Sequence, residues 1–141
     1  MSAYSNSLIP ARFLSLIGHM TILIIIFWSL EESSRKCLRH DQEEGDLIDQ
    51  MRRMKWGVSL ALAFIVIEFL GFLSGCSMFH PSYAILNIGC HGFAAIVLSL
   101  SLLQTYSCSL YWWIFVVCSA LPVFIECIII FNCLVLRKES I

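Results

Sequence analysis

The chain has 141 residues, 59% of them hydrophobic, a mean hydropathy of +0.83 and a formal net charge of −1. The near-neutral charge supplies no basic footprint, which excludes nucleic acid as an expected partner. The longest stretch outside the apolar runs, Glu31–Lys55, has 25 residues, too few for a separate soluble core, which needs about 40 or more, so one membrane domain is the expected whole.

In chain order, Ser2–Ser7 is a short polar tail and Pro10 suits the opening turn of a helix, where its missing N–H costs nothing. The first apolar run, Phe13–Leu30, is too long for a signal-peptide core. Glu31, Glu32 and Ser33 follow it in place of a small-residue cleavage site, so it is read as a retained span. Glu31–Lys55 is the one sizeable loop, with six basic and seven acidic residues. Leu47, Ile48, Met51 and Met54 recur at helical spacing, so the second helix is expected to begin near Asp46 as an amphipathic extension. Asp41, Glu43, Glu44 and Asp46 lack the alternation and closing glutamate of a calcium loop and read as a solvated acidic face.

Three further runs follow: Trp56–Phe79, Tyr83–Leu103 and Tyr111–Leu136. Each of the four is long enough to cross the roughly 30 Å hydrocarbon core as a helix. Continuous apolarity without alternation excludes barrel strands. Cys76–Ser82, broken by Pro81, and Gln104–Leu110 are short connections, which make antiparallel partners of neighbouring helices. The predicted fold is all-α: a polytopic, antiparallel four-helix transmembrane bundle spanning residues 1–141.

An even number of crossings puts both termini on one side, here the terminal side, and the charged loop on the other, the loop side. Trp28, Trp56, Trp112 and Trp113 fall at the loop-side boundary with Tyr106 and Tyr111 nearby, as an interfacial aromatic belt does. The first loop carries six Lys and Arg against Arg12, Arg137 and Lys138 near the termini. That count by itself puts the loop in the cytosol.

Seven cysteines are present and no two stand three apart, so there is no C-x-x-C redox or zinc pair. Cys90, Cys118, Cys127 and Cys133 lie in spans and read as small apolar fillers. Cys37 and Cys108 share the loop side and are the candidate disulfide if that side is extracytoplasmic. That placement would make the termini cytosolic, the arrangement favoured here against the charge count.

Each span carries one ionisable residue: His19, Glu68, His91 and Glu126. Counted from the terminal-side ends of the spans they lie about 12–17 Å deep, at one level. Ionisable groups at that depth are costly unless they face one another or a cavity. The layer has three readings: hydrogen-bonded glue that sets helix register, a metal or proton site, or a carboxylate turned outward to a partner. No cofactor is expected. Gly71 and Gly75 form a GxxxG on the face of Glu68, Gly89 and Gly92 make the third span a natural internal neighbour, and Pro122 is expected to kink the fourth.

Three segments carry a family resemblance: Pro10–His19, Glu68–Phe79 and Tyr111–Pro122. Their order, separations and span number closely resemble the transmembrane protein 107 family across nearly the whole chain. The charge-dense stretch Arg35–Asp49 departs from that pattern. The resemblance implies a non-enzymatic membrane component of the ciliary transition zone. It also implies other proteins of the Meckel syndrome module as partners, and a role in ciliary membrane composition, ciliogenesis and hedgehog signalling. The alternative left by the residues alone is a small channel or transporter built on the intramembrane layer.

Overall fold

A computed structural model describes residues 2–37, 44–78, 80–104 and 107–139. Six α-helices follow one another: α1 (Ser2–Trp28), α2 (Leu30–Cys37), α3 (Glu44–Leu73), α4 (Pro81–Leu103), α5 (Cys108–Phe115) and α6 (Leu121–Glu139). A π-helical turn, Val116–Ala120, fuses α5 to α6. No strand occurs among the described residues. Four helical segments are long and apolar enough to cross a membrane: Asn6–Trp28, Glu44–Leu73, Pro81–Leu103 and Cys108–Lys138.

The buried residues follow a coiled-coil-like 3-4 spacing on each span. On α1 the stripe is Arg12, Leu16, His19, Leu23 and Ile26; on α3 it is Met54, Val58, Ala61, Ile65, Glu68 and Phe72; on α4 it is Ala84, Asn87, His91, Ala94 and Leu98. Such stripes interlock at shallow crossing angles, as membrane bundles do. The outer faces are apolar, with Leu14, Leu70, Ile96 and Phe124 exposed. Polar groups inside and apolar groups outside is the arrangement that lipid as solvent requires.

α1 packs most extensively on α4, and then on α3; α6 and the π-helical turn pack on α3 and α4. α1 and α6 therefore stand diagonally opposite, as do α3 and α4. The short α3–α4 connection does not make those helices side-by-side partners, as the loop length had suggested. α4 instead lies parallel to α1, where its Ala84 and Ala94 let the neighbouring backbone approach.

Four boundaries differ from expectation. α1 starts at Ser2 and runs through Pro10. Proline's fixed φ is helical, so only one backbone bond is forgone there. The first half of the charged loop is helical as α2, held by Glu31–Arg35 (3.0 Å) and Glu32–Lys36 (2.8 Å) ion pairs at i,i+4. The Lys36 hydrogen bond and charge hold the Glu32 carboxyl below its ordinary range. Lys36 also donates to the Leu102 carbonyl (2.8 Å), satisfying an orphan acceptor at the end of α4. α3 begins at Glu44, two residues before the expected start, and ends at Leu73, well short of Phe79. Gly75 takes φ +80° just beyond it. A Cβ in that conformation costs about 1–2 kcal/mol, so this glycine stops the helix rather than packing it.

Cys76 and Cys133 form a disulfide that ties the α3–α4 connection to α6. Cys133 is thus a bridge and not the apolar filler that its place in a span suggested. Cys90, Cys118 and Cys127 are free. Cys108 is disulfide-bonded, but the side chain of Cys37 lies outside the described residues, as do Asp41, Glu43 and Tyr106. Of the belt, all four tryptophans are exposed, Trp112 while lying beside Gly57, and Tyr111 is buried against the same glycine.

A Cβ built at Gly89 or Gly92 meets nothing within 4 Å, so these glycines are not internal contact points. Their replacement by leucine is expected to change stability by less than about 0.5 kcal/mol. Unfolding of purified protein in detergent checks this, followed by maleimide labelling of buried Cys118 in a Cys90→Ser, Cys127→Ser background.

Candidate functional site: a polar network across the bundle diagonals

Two clusters of buried polar side chains bridge the two diagonals, where backbones are too far apart for direct packing. Across α1–α6, Arg12 Nη2 donates to Glu126 Oε2 at 2.7 Å, with the two side chains 1% and 0% exposed. Arg12 Nη1 donates to Ser77 Oγ (3.0 Å) and to the Ser77 carbonyl (3.3 Å) in the α3–α4 connection. The guanidinium carbon lies 4.8 Å from the Tyr83 ring centroid and 5.3 Å from that of Phe72. These aromatic faces add cation–π attraction to a desolvated cation.

Across α3–α4, Glu68 Oε2 accepts from Asn87 Nδ2 (2.5 Å) and from His91 Nε2 (2.9 Å). His91 Nδ1 in turn lies 2.8 Å from His19 Nδ1 on α1. Donation to the Glu68 carboxyl places the His91 proton on Nε2. Its bare Nδ1 then accepts from His19 Nδ1–H, which assigns both tautomers. Tyr83 joins the clusters: its hydroxyl donates to the Pro122 carbonyl (3.0 Å) and accepts from Asn87 Nδ2 (3.3 Å).

The π-helical turn decides which residues of the fourth span take part. Pro122 has no N–H for the Cys118 carbonyl, and one extra residue is wound into the turn, where Leu121 N–H bonds the Val116 carbonyl five residues back. The extra residue shifts the inward stripe by one position, from Leu121 and Ile125 to Pro122 and Glu126. The proline expected to kink the helix thus re-aims it. Gly71 completes the site. A Cβ there would overlap the Glu126 carboxyl, with Cδ at 2.7 Å and Cγ at 2.9 Å, so α3 and α6 meet here only because Gly71 has no side chain. Of the expected glycine face, Gly71 makes this contact and Gly75 does not.

The structure therefore brings His19, Glu68 and His91 together, while Glu126 pairs separately with Arg12. Sequence reasoning missed Arg12, Ser77, Tyr83 and Asn87. Arg12 was counted as a flanking charge, yet it stands seven residues before His19 on one stripe. Asn87 precedes His91 by four. That spacing was the available signal for both. Ser77, in an irregular connection, had none.

Chemically, the arrangement is suited to holding helices together. Two imidazole nitrogens on one zinc stand about 3.3 Å apart, farther than the direct His19–His91 contact. Among the described residues no three His, Cys, Asp or Glu side chains converge on a metal position.

An all-helical, four-span bundle whose ionisable side chains meet one another inside defines a polytopic integral membrane protein. The family model TMEM107, described as "Transmembrane protein", matches residues 8–130. Transmembrane protein 107 of Xenopus laevis is 41% identical over 129 residues, covering 92% of this chain and 91% of the relative. The Homo sapiens protein of that name is 34% identical over 134 residues (95% and 96%), and the Danio rerio one 39% over 121 (86% and 90%). The chain belongs to the transmembrane protein 107 family. No solved structure matches it.

Proposed function

We propose that this protein is a non-enzymatic membrane component of the ciliary transition zone. In this reading it organises the Meckel syndrome module and thereby controls ciliary membrane composition, ciliogenesis and hedgehog signalling. The observation that carries the reading is family membership over nearly the whole chain. The geometry supports it, since the ionisable groups inside the bundle are engaged with one another and the outer surface is apolar helix. Such a surface associates laterally with other membrane proteins, and the partners proposed are transition-zone proteins of that module together with membrane lipid. α2, with two acidic and two basic side chains at the loop-side boundary, offers a polar contact region. The burial of Arg12 leaves Arg137 and Lys138 against six cations in the first loop. That distribution favours a cytosolic first loop, with the Cys76–Cys133 bridge on the extracytoplasmic side, whereas the bridged Cys108 on the loop side favours the cytosolic termini read from the cysteines.

A tagged copy expressed in ciliated cells is expected to form a focus at the ciliary base beside a transition-zone marker. Uniform distribution over endoplasmic reticulum or plasma membrane, with no such focus, would overturn the proposal.

A further inference from the structure

The outer face of α6 carries Leu121, Phe124, Ile128, Phe131 and Val135, all exposed as a lipid-facing stripe should be. Among them is Asn132, also exposed. No hydrogen bond within the described residues engages its carboxamide. The apolar surface does not end there. Leu134, Val135 and Leu136 are exposed beyond it, the last about 6 Å farther along the axis. The outward aim of Asn132 is held covalently, because the next residue, Cys133, is turned inward by its bridge to Cys76. An amide facing hydrocarbon without a partner is costly, and nothing among the described residues relieves it.

A carboxamide both donates and accepts, so it is its own complement. Two copies of a membrane protein share one topology, which sets their α6 helices parallel and Asn132 at the same depth in each. Only rotation about the membrane normal then remains to be matched. Any other partner would also have to present a polar group at that depth. We infer that the α6 face around Asn132 is a twofold interface between two copies of this chain, closed by reciprocal Asn132–Asn132 amide hydrogen bonds. The seam is Leu121, Ile128, Asn132 and Val135, an isologous patch at a/d spacing that puts Asn132 at a core position facing its own copy. Arg137 and Lys138 of the two copies lie outside it, exposed to water and counter-ions that screen their repulsion. The interface is independent of the ciliary assignment.

The test uses the full chain in liposomes, with donor- and acceptor-labelled copies followed by energy transfer across protein-to-lipid ratios. Wild type is expected to dimerise. Asn132→Leu should weaken the dimer about tenfold, and Asn132→Gln should stay within about threefold. In a Cys90→Ser, Cys127→Ser background that keeps Asn132, Val135→Cys should cross-link to itself on oxidation, and Ile96→Cys on the outer face of α4 should not. This second measurement decides the matter even if Asn132→Leu does not fold. A wild type that stays monomeric at every ratio would overturn the inference. So would a dimer indifferent to Asn132→Leu, or cross-linking at Ile96→Cys equal to that at Val135→Cys.

Discussion

Arg12→Leu is expected to destabilise the bundle by about 3–5 kcal/mol, because it leaves the Glu126 carboxylate buried and unpaired. The pair is 1% and 0% exposed at 2.7 Å, so no water reaches the abandoned charge. Four other attachments of the guanidinium are lost with it: the two acceptors of Ser77 and the faces of Phe72 and Tyr83. Glu126→Leu alone should cost a comparable amount by stranding the cation. The double variant Arg12→Leu, Glu126→Leu should recover most of the loss, since a buried ion pair replaced by apolar side chains is often close to neutral. The Cys118 labelling assay in detergent measures all three. Equal losses for the single and double variants would show that packing, and not the charge pair, holds α1 to α6.

Gly71→Ala should cost about 1–3 kcal/mol, a large effect for one methyl group on a membrane helix. The added carbon occupies the space of the Glu126 carboxyl, so either the helices separate or the carboxylate leaves Arg12. The cost therefore depends on Glu126. In an Arg12→Leu, Glu126→Ala background the glutamate arm is gone, and Gly71→Ala should change stability by less than about 0.5 kcal/mol. A double-mutant cycle reads the difference directly. If the substitution costs the same in both backgrounds, the collision is with something other than Glu126. Position 71 thus links helix packing to ion pairing, a coupling that neither the glycine motif nor the carboxylate suggests alone.

The two glycine pairs show what could be read in advance and what could not. Gly71 and Gly75 are spaced like a packing motif, but helix α3 ends at Leu73. The second glycine falls in a turn with positive φ, where its lack of a side chain serves backbone reversal. Gly89 and Gly92 face outward because α1 packs on the other side of α4, over Ala84 and Ala94. A small residue permits close approach but does not summon a neighbour, so tertiary arrangement decides which glycine is used. The charged pattern of α2 was legible, since acidic residues in its first turn and basic residues in its last pair at i,i+4. Reading the segment as loop overlooked that signal.

Residue order alone determined that four helices are long and apolar enough to cross a bilayer and that each carries an ionisable side chain in its interior. Twenty or so apolar residues can be satisfied in lipid only as a helix, and a buried charge must find a companion. Which companion was decided by the tertiary structure. The diagonal placement of α1 against α6 and of α3 against α4 sets the partners of each carboxylate, Arg12 for Glu126 and Asn87 with His91 for Glu68. The π-helical turn before Pro122 rotates Glu126 away from the histidines and toward Arg12. The cysteines divide likewise: composition counts seven, but only the fold brings Cys76 in a connection beside Cys133 on a helix. Periodicity along one helix carries no information about the rotation of the next, and partner choice rests on that rotation.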